Sequence, residues 1–183
     1  TSYVPAVAHE AAQALPASHR EQMEAGLTGF VEGRVRRSGE LATADLAIRK
    51  VAAVEALSRY GKAKAALLGS VAIEPNLWPT SAVIDWIGVL KRVGDIPERA
   101  KKLTSAQQIL RSRLNLQGTS MSFSTERADG LWWLMVTPDV NAPRTLLAVV
   151  DLDAWKEDAP RIAKGALGRM RQGHWDTTTA NAW

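Results

Sequence analysis

The stretch Ala44–Tyr60 constrains the fold most. Its only polar residues are Asp45, Arg49, Lys50, Glu55, Ser58 and Arg59, and neither Pro nor Gly interrupts it. A helix so apolar must be covered on most of its sides. It therefore belongs to an inner layer, and the rest of the chain has to supply the cover.

The flanking sequence reads as further helices with short connections. Tyr3 to Leu15 is Ala-rich and ends at Pro16. Ser18-His-Arg-Glu21 has capping-box spacing. The helix it predicts carries Met23, Leu27, Phe30, Val31 and Val35 on one stripe, with Gly26, Gly29 and Gly33 inside it. Each glycine costs about 1 kcal/mol relative to Ala, so a close approach by a neighbouring helix is expected. Ser38-Gly39 breaks the chain, Thr43 is placed as the next N-cap, and Gly61 stops the Ala44–Tyr60 helix. A shorter helix is expected from Lys62 to about Val71.

Pro75 and Pro79 make the Ile73–Pro79 segment a loop, and Thr80 is placed to cap a helix running to Val93. Glu98–Asn115 reads as a long helix with Leu103, Ile109, Leu110 and Leu114 apolar. The period then changes. Met121 and Phe123 alternate with serines, so an extended excursion or small hairpin is expected over Gln117–Glu126. Leu131–Val136 is too short an apolar run for periodicity to choose between helix and strand. Asn141-Ala-Pro-Arg144 and Asp158-Ala-Pro-Arg161 each read as an Asx cap with Pro in the first turn, ahead of helices from Leu146 to about Trp155 and from Ile162 to Gln172. Arg169 and Arg171 then suit the dipole at a helix end.

The last residues hold a helix stop at Gly173 and a start at Asp176 or Thr177. Thr178–Trp183 is under two turns, which is not stable alone. The helix is expected to be cut off by the end of the chain, and 1–183 is expected to be one domain that forms an incomplete fragment of a larger protein. The expected fold class is all-α, with about nine helices joined as antiparallel hairpins and a short β-hairpin near 117–126.

Composition narrows the function classes. The 183 residues are 46% hydrophobic and 23% charged, which is globular. The net charge of +4 is mild and both signs are interspersed, so no nucleic-acid partner is expected. No apolar run approaches the roughly 20 residues that span a bilayer, so no membrane insertion is expected. The absence of cysteine excludes disulfides, thiolate metal sites and cysteine nucleophiles. The seven tryptophans read as packing residues.

Candidate chemistry is sparse. There is no phosphate-binding glycine loop. His9, His19 and His174 lack metal-ligand spacing. Asp151 and Asp153, with Glu157 and Asp158, form the one acidic cluster, and it reads as a solvated face with Asp158 used as a cap. Ser38, Ser70 and Ser81 lack a nucleophile-elbow context. No catalytic, metal-binding or cofactor-binding residue is assigned, and no cofactor is expected.

Several segments taken together resemble the bacterial alpha-2-macroglobulins. The most specific is Gly165-Ala-Leu-Gly-Arg-Met-Arg-Gln-Gly-His-Trp-Asp-Thr-Thr-Thr-Ala-Asn-Ala-Trp183. Arg49–Tyr60, Pro75–Thr80, Phe123–Glu126 and Leu131–Leu134 are similar to the same thioester-type domain. The resemblance implies an α/α toroid, a ring of helical hairpins, in which a helix ends in a Gly-containing turn and a Thr-rich start opens the next. It also implies a bacterial, periplasmic endopeptidase inhibitor that traps proteases after cleavage of a bait region. Its partners would be other domains of the same polypeptide and the trapped protease, and the full-length protein could be membrane-anchored. Many members use a Cys–Gln thioester. With no cysteine here, the motif either lies upstream of Thr1 or belongs to a subgroup that lacks it, and no thioester residue is carried over.

Two other readings compete. One is an α/α-toroid enzyme, terpene-cyclase-like or glycan-active, supported only by Asp151-Leu-Asp153 and the tryptophans. The other is a helical-repeat binding scaffold.

Overall fold

The structure is a computed structural model that describes residues 2–35, 42–123, 134 and 136–183. It is mostly helical with one small antiparallel sheet, as expected. The helices are α1 (Tyr3–Glu10), α2 (Ala17–Val31), α3 (Thr43–Arg59), α4 (Thr80–Arg92), α5 (Arg99–Ser112), α6 (Pro138–Val149), α7 (Ala159–Leu167) and α8 (Thr178–Ala182). Strands β1 (Leu114–Gln117) and β2 (Ser120–Phe123) form the sheet. Among the described residues no helix is long and apolar enough to cross a membrane. The expected break at Ser38-Gly39 and most of Leu131–Val136 lie outside the described residues.

The contacts fall into two compact units. One comprises Thr1–Trp78 and Asp85–Gln107, the other Pro79–Ile84 and Gln108–Trp183.

In the first unit α3 packs against α1 and α2. From Ala53 to Ser58 every residue of α3 is buried, including Glu55. Gly61, with φ of 67°, ends the helix as expected. The part of α4 that belongs to this unit is covered as well, with every residue from Asp85 to Leu90 buried. Trp86 on α4 meets Trp78 edge to face, ring centres 6.2 Å apart.

Several boundaries differ from the sequence reading, each for a local reason. α2 starts one residue before Ser18 because Pro16 is already its extended N-cap (φ −52°, ψ 133°) and accepts from Arg20 N–H. Ser18 therefore falls inside the first turn and the capping box does not form. α2 stops at Val31, so Val35 leaves the stripe and is 53% exposed. The atoms nearest to its glycines do not come from a neighbouring helix. A Cβ on Gly26 or Gly33 would meet nothing within 4 Å, and the atoms nearest to one on Gly29 belong to Val35 and Arg34. Ala42, not Thr43, is the N-cap of α3. The Lys62–Val71 helix is a 3-10 turn over Ala65–Ser70.

In the second unit α7 packs on β2 and on α6, and α8 packs on α6. The hairpin begins three residues before the predicted 117 because α5 ends at Ser112, whose hydroxyl donates back to Ile109 C=O (2.8 Å). Leu114 and Asn115, expected in the helix, lie in β1. Gly118 holds the first central position of the two-residue loop with φ of 60°, a conformation that favours glycine. Trp155 is 1% exposed beneath the Arg111 guanidinium, which lies 4.4 Å from its ring centre.

The two Asx-Ala-Pro segments do not behave alike. Thr137 caps α6, its hydroxyl accepting from Val140 N–H (3.2 Å), and Pro138 takes the first helical position. Asn141 is consequently an interior residue, and Pro143 lies inside the helix. Asp158 occupies the N-cap position of α7 but makes no side-chain cap. Its carboxylate binds Arg111 (3.0 Å) and Arg161 (3.3 Å) instead.

Candidate functional site

The residues weighed for chemistry are scattered. His9 stands edge-on to Tyr60, ring centres 5.3 Å apart. His19 and His174 are exposed. Asp151, Asp153 and Glu157 are exposed. Ser81 is buried in α4, and Ser38 lies outside the described residues. Ser70 receives a hydrogen bond from Lys50 Nζ (2.9 Å) and donates to Val31 C=O (2.9 Å), which ties α2, α3 and the 3-10 turn together. Among the described residues no group of three or more His, Asp or Glu side chains is placed to hold a metal.

Glu55 is the centre of a buried ion cluster in the first unit. Its Oε1 accepts from Arg59 Nε (2.8 Å) and from Arg92 Nη1 (3.0 Å), and Arg59 also bonds Glu10. Burial by itself lowers the pKa of Arg59, but the carboxylates of Glu55 and Glu10 outweigh it and the net shift is upward. Gly88 makes room for this network, since a Cβ there would lie 2.9 Å from Arg92 Nη1 and 3.1 Å from Glu55 Oε1. Every member has a charged neighbour, so the cluster reads as a fastening between helices.

The second unit holds a different arrangement. The C-terminal segment folds back as a tight turn. Arg171 and His174 exchange both backbone hydrogen bonds (2.8 and 3.1 Å), and Gln172 and Gly173 between them both have positive φ, 50° and 85°. That is the geometry of a type I′ turn. Gly173 thus serves the turn, not a helix end, because α7 already stops at Leu167. Trp175 Nε1 donates to Ala166 C=O (3.1 Å), and the Asn181 amide bonds Trp175 C=O and Thr177 C=O (both 2.7 Å). Thr177 caps α8 by accepting from Ala180 N–H (3.1 Å), so of the two expected caps Thr177 serves and Asp176 does not.

This folding-back leaves a cleft of about 530 Å³, lined by Thr137, Pro138, Asp139, Gly168, Arg169, Arg171, Asp176 and Thr177. Arg169 Nε donates to Asp139 Oδ1 at 2.6 Å, a short charge-assisted bond. Arg171 and Asp176 are exposed, and neither side chain has a partner among the described residues. The cleft therefore presents one paired and one unpaired set of opposite charges. Its two threonine hydroxyls are committed to helix caps. What it offers is recognition by charge and hydrogen bonds.

Sequence reasoning missed this cleft. It placed Arg169 and Arg171 at the end of a helix that stops earlier, and Asp176 at a cap. Asp139 lies thirty residues before Arg169, and no local pattern joins them.

Comparison with protein-family models, with curated proteins and with solved structures finds no match for the chain.

Proposed function

We propose that this chain is a non-catalytic helical module of a bacterial alpha-2-macroglobulin-like endopeptidase inhibitor, part of an α/α toroid within a longer periplasmic polypeptide. The observation that carries the reading is the run from Gly165 to Trp183, where the resemblance is most specific. Its order is a helix, a glycine turn and a threonine-capped helix, as in α7, Gln172–Gly173 and α8. The burial of α3 and α4 on most sides suits the inner layer of a ring of hairpins. On this reading the partners are neighbouring domains and a trapped protease, and no cofactor takes part.

The test is a protection assay on the whole polypeptide that contains this chain. After exposure to an endopeptidase, the bound enzyme should keep cleaving a small chromogenic peptide and lose activity on a folded protein substrate. Unchanged cleavage of the protein substrate overturns the reading.

A further inference from the structure

We propose that the cleft between the first turn of α6 and the Arg171–Thr177 segment binds a small ligand that carries both a carboxylate and an ammonium group, as a free amino acid or a short peptide does. The inference does not depend on the parent protein being a protease trap.

The charges in the cleft are unevenly used. Asp139 and Arg169 satisfy each other across the cleft wall, and Asp139 is nearly buried. Arg171 and Asp176 are five residues apart and line the same concavity, yet they pair neither with each other nor with any other described residue. Arg171 precedes the type I′ turn, where its backbone bridges to His174, and Asp176 follows the turn, next to the Thr177 cap of α8. A guanidinium offers a planar two-donor edge that suits a carboxylate, and a free carboxylate suits an ammonium. A ligand bearing both charges neutralises both residues at once, whereas a simple anion or cation leaves one unpaired beside it. The volume of about 530 Å³ is within the range of small-molecule pockets and accommodates a short peptide. Gly168 and Pro138 on the lining add no charge of their own, so selectivity rests on the Arg171–Asp176 pair.

The experiment is a titration of the whole 183-residue chain, followed by the amide and Arg side-chain NMR signals of Arg169, Arg171, Asp176 and Thr177. The probes are glycine, L-alanyl-L-alanine and the doubly blocked N-acetyl-L-alanine amide. Saturable shifts with glycine or the dipeptide are expected at a dissociation constant near or below about 1 mM, with a weaker response to the blocked compound. Tighter glycine binding identifies a free amino acid, and tighter dipeptide binding identifies a peptide. Arg171→Gln and Asp176→Asn should each weaken binding about tenfold or more, while Arg171→Lys retains part of it. Both side chains are exposed, so these variants should keep the wild-type spectrum elsewhere. N-acetyl-L-alanine, which lacks the ammonium, should bind Asp176→Asn at least as tightly as wild type, because the variant removes a like charge from the cleft. Equal shifts with the blocked compound overturn the proposal, and so does the absence of saturable shifts up to about 10 mM.

Discussion

The Cα of Gly165 lies directly against the backbone carbonyl of Met121. A Cβ at position 165 would overlap the Met121 oxygen and sit 2.9 Å from its carbonyl carbon. The obstruction is backbone, which cannot swing aside as a side-chain end can. α7 lies on β2 at this point, and the neighbouring Lys164 bonds the Thr119 hydroxyl of the hairpin loop. Glycine here is the condition for that packing.

Gly165→Ala is therefore expected to destabilise the fold. Alanine gains about 1 kcal/mol of helix propensity, but overpacking costs about 1–3 kcal/mol and more where backbone must move. At about 2–4 °C per kcal/mol for a chain of this length, the Tm should fall by several degrees. A scanning calorimetry trace with an unchanged or raised Tm would refute the packing argument. Gly26→Ala supplies the control, since a Cβ there meets nothing within 4 Å and the helix gain stands alone.

The Glu55 cluster makes a second prediction. Glu55 is 4% exposed and the Arg59 side chain 7% exposed, so removing either takes one charged partner from a nearly buried group. Such losses cost about 3–5 kcal/mol, whereas replacing a whole buried pair by apolar residues is often near neutral. Arg59 keeps Glu10 and Glu55 keeps Arg92, which reduces the cost of either loss. Glu55→Leu and Arg59→Met should each be clearly destabilising in urea titrations, and the double variant should lose less than the two single losses added together. Strict additivity would mean that the pair is not coupled.

Tyr60 links stability to alkaline pH. Its phenol donates to Pro5 C=O (2.8 Å) and so fastens α1 to the end of α3. The pKa is raised, first by burial. Arg20, 5.8 Å from the ring centre, opposes the shift, Glu24 adds to it, and Arg59 opposes it. A raised folded-state pKa means that the folded state holds the proton more tightly. Its stability contribution is complete below the ordinary phenol value near 10 and is lost as pH rises through the higher folded value. Wild-type stability should thus fall more steeply than that of Tyr60→Phe between about pH 9 and 11. Parallel pH profiles for the two proteins would exclude the linkage.

Periodic signals proved the most legible in the sequence. The apolar Ala44–Tyr60 stretch is α3 to within a residue at each end, and the switch to alternation at Met121 and Phe123 is β2. Caps were harder to place, because several residues compete for one role. Thr137 with Pro138 starts α6 four residues before Asn141, and Pro16 starts α2 before Ser18 can cap it. Asp158 has the cap position, but two arginines hold its carboxylate. The cleft was illegible for another reason. It depends on α7 ending at Leu167, on Gln172 joining Gly173 at positive φ, and on Asp139 arriving from a distant helix. Local propensity carries the first two weakly and the third not at all.

The crowding at Gly88 ties three positions into one unit of inheritance. Any larger side chain at 88 runs into the Arg92 guanidinium and the Glu55 carboxylate, and the nearest atoms are the charged ends of the ion network itself. A descendant of this chain that enlarges residue 88 must displace the Arg92 guanidinium and the Glu55 carboxylate from this arrangement, and shortening residue 55 or 92 removes the conflict. Once the network is gone, residue 88 is released from the constraint. Positions 55, 88 and 92 should therefore change together across any lineage that keeps this packing.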